Sequence, residues 1–254
     1  MISATLGRRL VPLSIPMQTT IGLTLAASII GAWFSLHVYG VFFLRLAEAP
    51  VLLIVAIVLA LTWLSVGLFI VAHDAMHGSL APFRPWLNRA VGQISLGLYA
   101  GFRFAPLNVE HHRHHRAPGT ADDPDFHDHS PHGLVAWYLD FMRHYFGLTE
   151  FLVLCVLVAI YQFVLGAELA NVLIFWALPS LASSLQLFVF GTYLPHRPDN
   201  ETFTDRHRTR SNGYPAWLSL LTCFHFGYHH EHHDQPSIPW WRLPAARRLS
   251  ERAE

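Results

Sequence analysis

From Val51 to Ala72 the chain carries no charged side chain, and crossing a hydrocarbon core takes about 20 such residues in a helix. Three further stretches are mostly apolar: about Met17 to Leu46, with His37 and Tyr39 near its far end, Leu148 to Leu165, and about Leu169 to Leu194. In lipid every backbone amide must find its partner within the segment, so these stretches are expected as helices. Only 13% of the 254 residues are charged, about half the usual share for a soluble domain. Arg8 and Arg9 precede the first apolar run as in a signal peptide. No small-residue cleavage site with a polar chain behind it follows, so the run is read as a retained span.

The joints between spans constrain the topology. "AEAP" links the first two and "GAE" the last two, so each pair is a tight helical hairpin. Both termini and the long segment 73–147 then share one face, with every arginine except Arg45. The positive-inside rule makes that face cytoplasmic. The expected fold is an all-α membrane protein, one domain over residues 1–254. It has four transmembrane helices in two hairpins, a histidine-rich cytoplasmic cap, and interfacial amphipathic helices. Those helices are read from Leu87, Ala90, Val91, Ile94, Leu98 and Phe102, from Leu134, Tyr138, Phe141, Tyr145 and Leu148, and from Trp217, Leu220, Leu221 and Phe224. "PWWRLPAARRL" near the C-terminus pairs tryptophan with arginine as a membrane-surface anchor does. A formal net charge of zero gives a nucleic-acid partner no electrostatic support. Cys155 and Cys223 form neither a disulfide framework nor a zinc motif.

Every clustered histidine falls on the cap face. Helical positions i, i+3 and i+4 share one side. That selects His111, His114 and His115 in "HHRHH", and His229, His232 and His233 in "HHEHH". His73 and His77 lie one turn apart at the end of the second span. Eight imidazoles exceed the four ligands of one tetrahedral zinc and suit two metal ions; imidazole alone leaves iron, copper, zinc and nickel open. His196, in "TYLPHRP" at the exit of the last span, is a ninth candidate. His112, His225 and His230 flank the clusters as outer donors or surface residues. A tag would be contiguous and terminal, and a pH sensor rarely repeats this spacing in three places.

Metal-bound histidines commonly give their free ring N–H to a carboxylate. Asp74, Glu110, Asp122, Asp123, Asp125 and Glu231 all lie in or beside the clusters. Asp122 or Asp123 is the first choice for that role, with Asp74 a further candidate. Asp125 and Asp128 are read as a solvated, helix-capping loop.

The three boxes resemble those of the membrane fatty-acid desaturase and hydroxylase superfamily. "HDAMHGSLAP", "GFRFAPL", "HHRAPGTADDPDFH", "FGTYLPHRP" and "HHEHHDQPSIPWWRLP" are similar to strings of the bacterial β-carotene ketolases, from about residue 60 onward. The resemblance implies a non-haem centre of two iron ions held by the three boxes and His196, with O2 as co-substrate. It implies electrons from an external ferredoxin-type donor and its reductase, and a bacterial inner-membrane location. The implied reaction oxidises C4 of a β-ionone ring by two hydroxylations, after which the geminal diol loses water to leave a ketone. The substrate would be a carotenoid reaching the cap from the lipid bilayer past Trp86, Tyr99, Phe102, Phe104, Trp137, Tyr138 and Tyr145. A carotenoid 3-hydroxylase and a fatty-acyl desaturase are the nearest alternatives. A metal transporter would carry its histidines and acids at mid-span depth, and these spans do not.

Overall fold

The computed structural model describes residues 10–198, 203 and 205–252; Arg8 and Arg9 lie outside the described residues. Every regular element among them is helical. In chain order these are α1 (Ile15–Phe43), α2 (Val51–Met76), α3 (Pro85–Ala100), α4 (Phe104–Arg116), α5 (Leu134–Tyr145), α6 (Leu148–Val164), α7 (Leu169–His196), α8 (Ala216–Cys223), α9 (His229–Asp234) and α10 (Leu243–Ser250). Helices α1, α2 and α7 are each long and apolar enough to cross a membrane. Helix α6 by itself reaches only about 25 Å at 1.5 Å per residue, short of a hydrocarbon core of about 30 Å. It continues α5 after a 76° bend, so the third predicted span is one limb of a broken pair rather than a straight rod.

Helix α2 is the centre of the molecule and packs against α1, α3 and α7. Its first turns are exposed, whereas Leu64–Met76 is almost continuously buried. It extends one turn beyond the predicted Ala72, and that turn carries His73 into the interior. Gly101, at φ +70°, ends α3, a left-handed position that costs glycine nothing. Its N–H bonds Gly97 O at 3.0 Å and Phe102 N–H bonds Leu96 O at 3.2 Å. The chain reverses there and starts α4, whose last turns hold His111, His114 and His115.

Helices form over all three stretches expected to be amphipathic, but the stripe on α3 is split: Val91, Leu98 and Phe102 pack against the core, and Ala90 and Ile94 are exposed. Asn88, Gly92, Ser95, Leu96 and Tyr99 are turned inward, and Trp86 and Ile94 are 69% and 53% exposed. Likewise α8 buries Ser219 and Cys223 and exposes Trp217 and Leu221. Small residues inside and large apolar ones outside is how helices pack when lipid covers the outer face.

Four π-helical turns interrupt the long helices, at Tyr39–Phe43, Ile160–Val164, Leu173–Ala177 and Phe188–Tyr193. A π turn displaces carbonyls from their α partners, and buried carbonyls must be satisfied. Asn171 Nδ2 donates to Gly40 O at 2.7 Å and to Leu44 O at 2.8 Å, tying α7 to α1. His37, 1% exposed, stacks on Trp33 and meets Tyr161 Oη at 2.9 Å. The spans are therefore joined by a polar knot, not only by apolar contact.

Candidate metal centre

Helices α2, α4, α7 and α9 bring all nine predicted histidines together in two adjoining groups. His73, His77, His111, His115 and His232 form one, and His114, His196, His229 and His233 the other. Within each group the ring nitrogens lie within 4.8 Å of one another. In the first, Nε2 of His77 and His111 are 2.7 Å apart, His73 and His232 3.1 Å, and His115 and His232 2.9 Å. In the second, Nε2 of His229 stands 3.0 Å from those of His196 and His233, and His114 is 3.1 Å from His233. The groups touch where the rings of His115 and His233 stack at 4.1 Å.

The donor set fits metal ions. Imidazole nitrogens bound at about 2.1 Å and at right angles stand about 3.0 Å apart, the spacing observed. His114 commits its Nδ1 proton to Asp123 Oδ1 at 2.8 Å, and His196 commits its own to Arg208 O at 3.0 Å. Each thereby turns Nε2 into its group, where that nitrogen can bind a metal once it is unprotonated. Burial, and then the neighbouring imidazoles, hold His77 down at about 3 and push His111, His115, His229, His232 and His233 well below the usual histidine range. These rings are neutral at physiological pH, the form that binds metal.

Asp123 is 4% exposed and accepts from His114, from Gly119 N–H at 2.7 Å and from Asp125 N–H at 2.9 Å. Burial opposes both charges, but the pairing wins: His114 is raised and Asp123 lowered. Of the two aspartates first considered, Asp123 is therefore the one that reaches the histidines. Asp122 is exposed, and its carboxylate meets none of the nine rings among the described residues. Asp74 is buried beside His73, 3.9 Å from its Nδ1, and accepts from Trp240 N–H at 3.2 Å. Glu231, 3% exposed, takes the Ser211 hydroxyl and pairs with Arg247 at 3.1 Å, which fastens α9. Glu110 bonds His144 at 3.2 Å at the surface.

Asp125 differs from its expected solvated loop. Its carboxylate lies 3.7 Å from His114 Nδ1 and accepts the Tyr145 hydroxyl, and its carbonyl takes Trp137 Nε1–H at 2.7 Å. Burial, with the charge of Asp123 added, raises its pKa although His114 opposes. No spacing in the sequence couples Asp125 to Tyr145, because the contact depends on where α5 docks. Asp128 is exposed, as expected. Of the flanking histidines, His112 is exposed and lies 5.5 Å from the His77 ring, and His230 is half-buried near Asp205. His225 is buried against Tyr228 and Trp240, away from both groups.

A cavity of about 380 Å³ runs from His73, His111, His114 and His229 down between α2, α3, α5, α6 and α7. Its walls are mostly apolar, with Tyr99, Phe102 and Tyr145 from the predicted aromatic path and Trp176 and Phe226 besides. Trp86 is exposed, and Phe104, Trp137 and Tyr138 stand outside the lining. Gly191 lines the cavity where the Phe226 ring presses against α7; a Cβ there would stand 2.6 Å from ring carbons. Phe226 in turn lies edge-on to His73 and His229 at 4.6 and 4.8 Å.

Buried, paired imidazole groups at the head of an apolar cavity, on helices long and apolar enough to cross a membrane, form a candidate metal centre. The chain belongs to the fatty acid desaturase family, whose sequence profile matches residues 47–155 and 145–254. It is 55% identical over 230 residues to a β-carotene ketolase of Paracoccus sp. strain N81106, covering 90% of this chain and 93% of that protein. A second β-carotene ketolase, from Paracoccus sp. strain PC1, is 51% identical over 237 residues, with 93% and 96% covered. One from Haematococcus lacustris is 37% identical over 264 residues, with 93% and 82% covered.

Proposed function

We propose that this chain is a β-carotene 4-ketolase, an oxidoreductase that converts the C4 methylene of a β-ionone ring to a ketone. The likeness to β-carotene ketolases over nine-tenths of the chain supports the substrate. The observation that carries the chemistry is the pair of imidazole groups opening onto an apolar cavity. His73, His77, His111, His115 and His232 hold one iron, and His114, His196, His229 and His233 hold the other. When bound, the iron pair supplies the activation of molecular oxygen that C–H hydroxylation requires. Each hydroxylation consumes one O2, two electrons and two protons, and releases one water. The second gives a geminal diol, which loses water to leave the ketone. The electrons come from an external ferredoxin-type donor and its reductase.

The protein supplies position and dryness. Asp123 fixes His114 through its Nδ1 proton, and Asp74 lies beside His73 from the other side of the centre. The apolar walls exclude water, and holding C4 rather than C3 beside the centre decides the product. Helices α1, α2, α6 and α7 are the four spans, paired as two hairpins in a bacterial inner membrane that thins locally around the short α6. The termini and the centre lie on the cytoplasmic side, with α3, α5 and α8 in the interface; the outward-facing Trp86, Ile94 and Trp217 support that placement.

The test is expression in bacteria that already make β-carotene, with mass spectra of the extracted pigment. A gain of one oxygen with loss of two hydrogens per ring is expected. Oxygen gain alone would assign a hydroxylase. Unchanged pigment, with iron bound and a working donor present, would refute the carotenoid assignment.

A further inference from the structure

A ketone at C4 requires two oxidations of the same carbon, and this inference rests on the ketolase reading. After the first, an otherwise hydrocarbon ring carries one hydroxyl. The alcohol must be held for a second turnover, with its remaining C4 hydrogen toward the metals, or it escapes into the bilayer.

Five hydroxyl-bearing residues line the cavity: Tyr99, Tyr145, Ser180, Ser184 and Thr192. Four are engaged. Tyr99 donates to Ser180 O at 3.2 Å, and Ser180 Oγ donates to Tyr99 O at 2.7 Å. Tyr145 donates to Asp125, and Ser184 Oγ donates to Leu181 O at 2.7 Å beside the Tyr138 hydroxyl. The hydroxyl of Thr192 has no hydrogen-bond partner among the described residues, although the residue is 8% exposed.

The cause is local. Threonine in a helix commonly bonds the carbonyl four residues back. Thr62 does so to Val58 at 2.8 Å, and Thr222 to Leu218 at 2.9 Å. Thr192 sits inside the π turn Phe188–Tyr193, where the displaced carbonyls are out of reach. The turn thus leaves a donor and an acceptor uncommitted at the wall of the cavity, where a ligand can reach them. Position decides the role. Thr192 lies one turn before His196 and so on the same side of α7, whereas Ser184 is roughly 18 Å from His196 along the axis.

We propose that Thr192 binds the C4 oxygen of the half-oxidised ring, Oγ1–H donating to it, and so retains the alcohol for the second hydroxylation. The bond forms only after the first turnover, since β-carotene itself has no oxygen to meet it. The test is Thr192→Val, which keeps shape and removes the hydroxyl, with Thr192→Ser as the conservative return. Both are expressed with β-carotene, and 4-hydroxy and 4-keto products are separated. Losing one hydrogen bond corresponds to a change of about five- to tenfold. The alcohol-to-ketone ratio is expected to rise by that factor in Thr192→Val and to fall back in Thr192→Ser, at equal iron content. An unchanged ratio at equal iron content overturns the proposal. If Thr192→Val loses iron, the KM of Thr192→Ala for supplied 4-hydroxy carotenoid decides. A rise beyond that for β-carotene supports retention, and an equal rise overturns it. Wild-type protein that makes no ketone would instead overturn the ketolase reading.

Discussion

At the scale of single residues the centre depends on which carboxylate is buried, not on how many lie nearby. Asp122 and Asp123 are neighbours, yet only Asp123 is enclosed with three N–H donors around it. An outer carboxylate that fixes a ligand's tautomer is worth roughly 10- to 100-fold in metal affinity or activity. Asp123→Asn keeps the size but can present its amide N–H to His114 Nδ1, which would then hold its proton on Nε2, the nitrogen that faces the other histidines. Iron per protein or ketone yield is expected to fall by about that factor, while Asp122→Asn leaves both as they were. Equal loss in the two variants, measured by elemental analysis alongside pigment mass spectra, would show that the shell around His114 does not matter. A second residue-scale expectation concerns Gly191. Gly191→Ala drives a methyl into the Phe226 ring, and that ring backs His73 and His229. The variant is expected to lose iron while retaining its helical circular dichroism; full iron content would show that Phe226 can move aside freely.

At the scale of elements, local patterns were legible and pairings between distant elements were not. The i, i+3, i+4 spacing depends on one helix at a time, and it picked out the histidines that the structure gathers. Span lengths depend on local hydropathy, and α1, α2 and α7 begin and end near their predicted bounds. The inward face of α3 is set by what α2 offers, so its apolar stripe is divided, with Val91 and Leu98 against the core and Ala90 and Ile94 outside. The π turns, the engagement of Asp125 by Tyr145 and the bend before α6 likewise depend on docking that no single window of sequence encodes. Asn171 shows how much such docking carries. Its two bonds to carbonyls of α1 satisfy backbone groups near a π turn, and an unsatisfied buried carbonyl costs about 1–3 kcal/mol. Asn171→Leu keeps the volume and removes both donors. Its thermal unfolding midpoint in detergent is expected to drop clearly below wild type; no drop would mean water or lipid headgroups reach those carbonyls.

At the scale of the whole molecule the helices converge on a group of rings that must stay uncharged. Six of them, His77, His111, His115, His229, His232 and His233, have folded-state pKa values depressed by burial and by one another, His77 to about 3. In the unfolded chain the same rings titrate near their ordinary value of about 6.5. Above that pH these six rings are protonated in neither state and add no pH dependence. Below it the unfolded chain takes up protons that the folded one refuses, so stability falls with pH. The fall continues until the folded rings themselves protonate, for His77 near 3. Metal-stripped protein in detergent is therefore expected to lose melting temperature progressively from about pH 7 toward about pH 5, the six depressed rings outweighing the opposite pull of His114 and Asp125. The loss should be steep, because several rings contribute at once, each up to about 1.4 kcal/mol per pH unit. Bound metal adds a stabilisation that stays constant while the folded rings refuse protons, so loaded protein should melt above stripped protein by a near-constant margin from about pH 7 to pH 5. A stripped protein whose melting temperature does not fall below about pH 6.5 would mean that the rings are open to water, and the buried, neutral centre on which the metal assignment rests would be wrong.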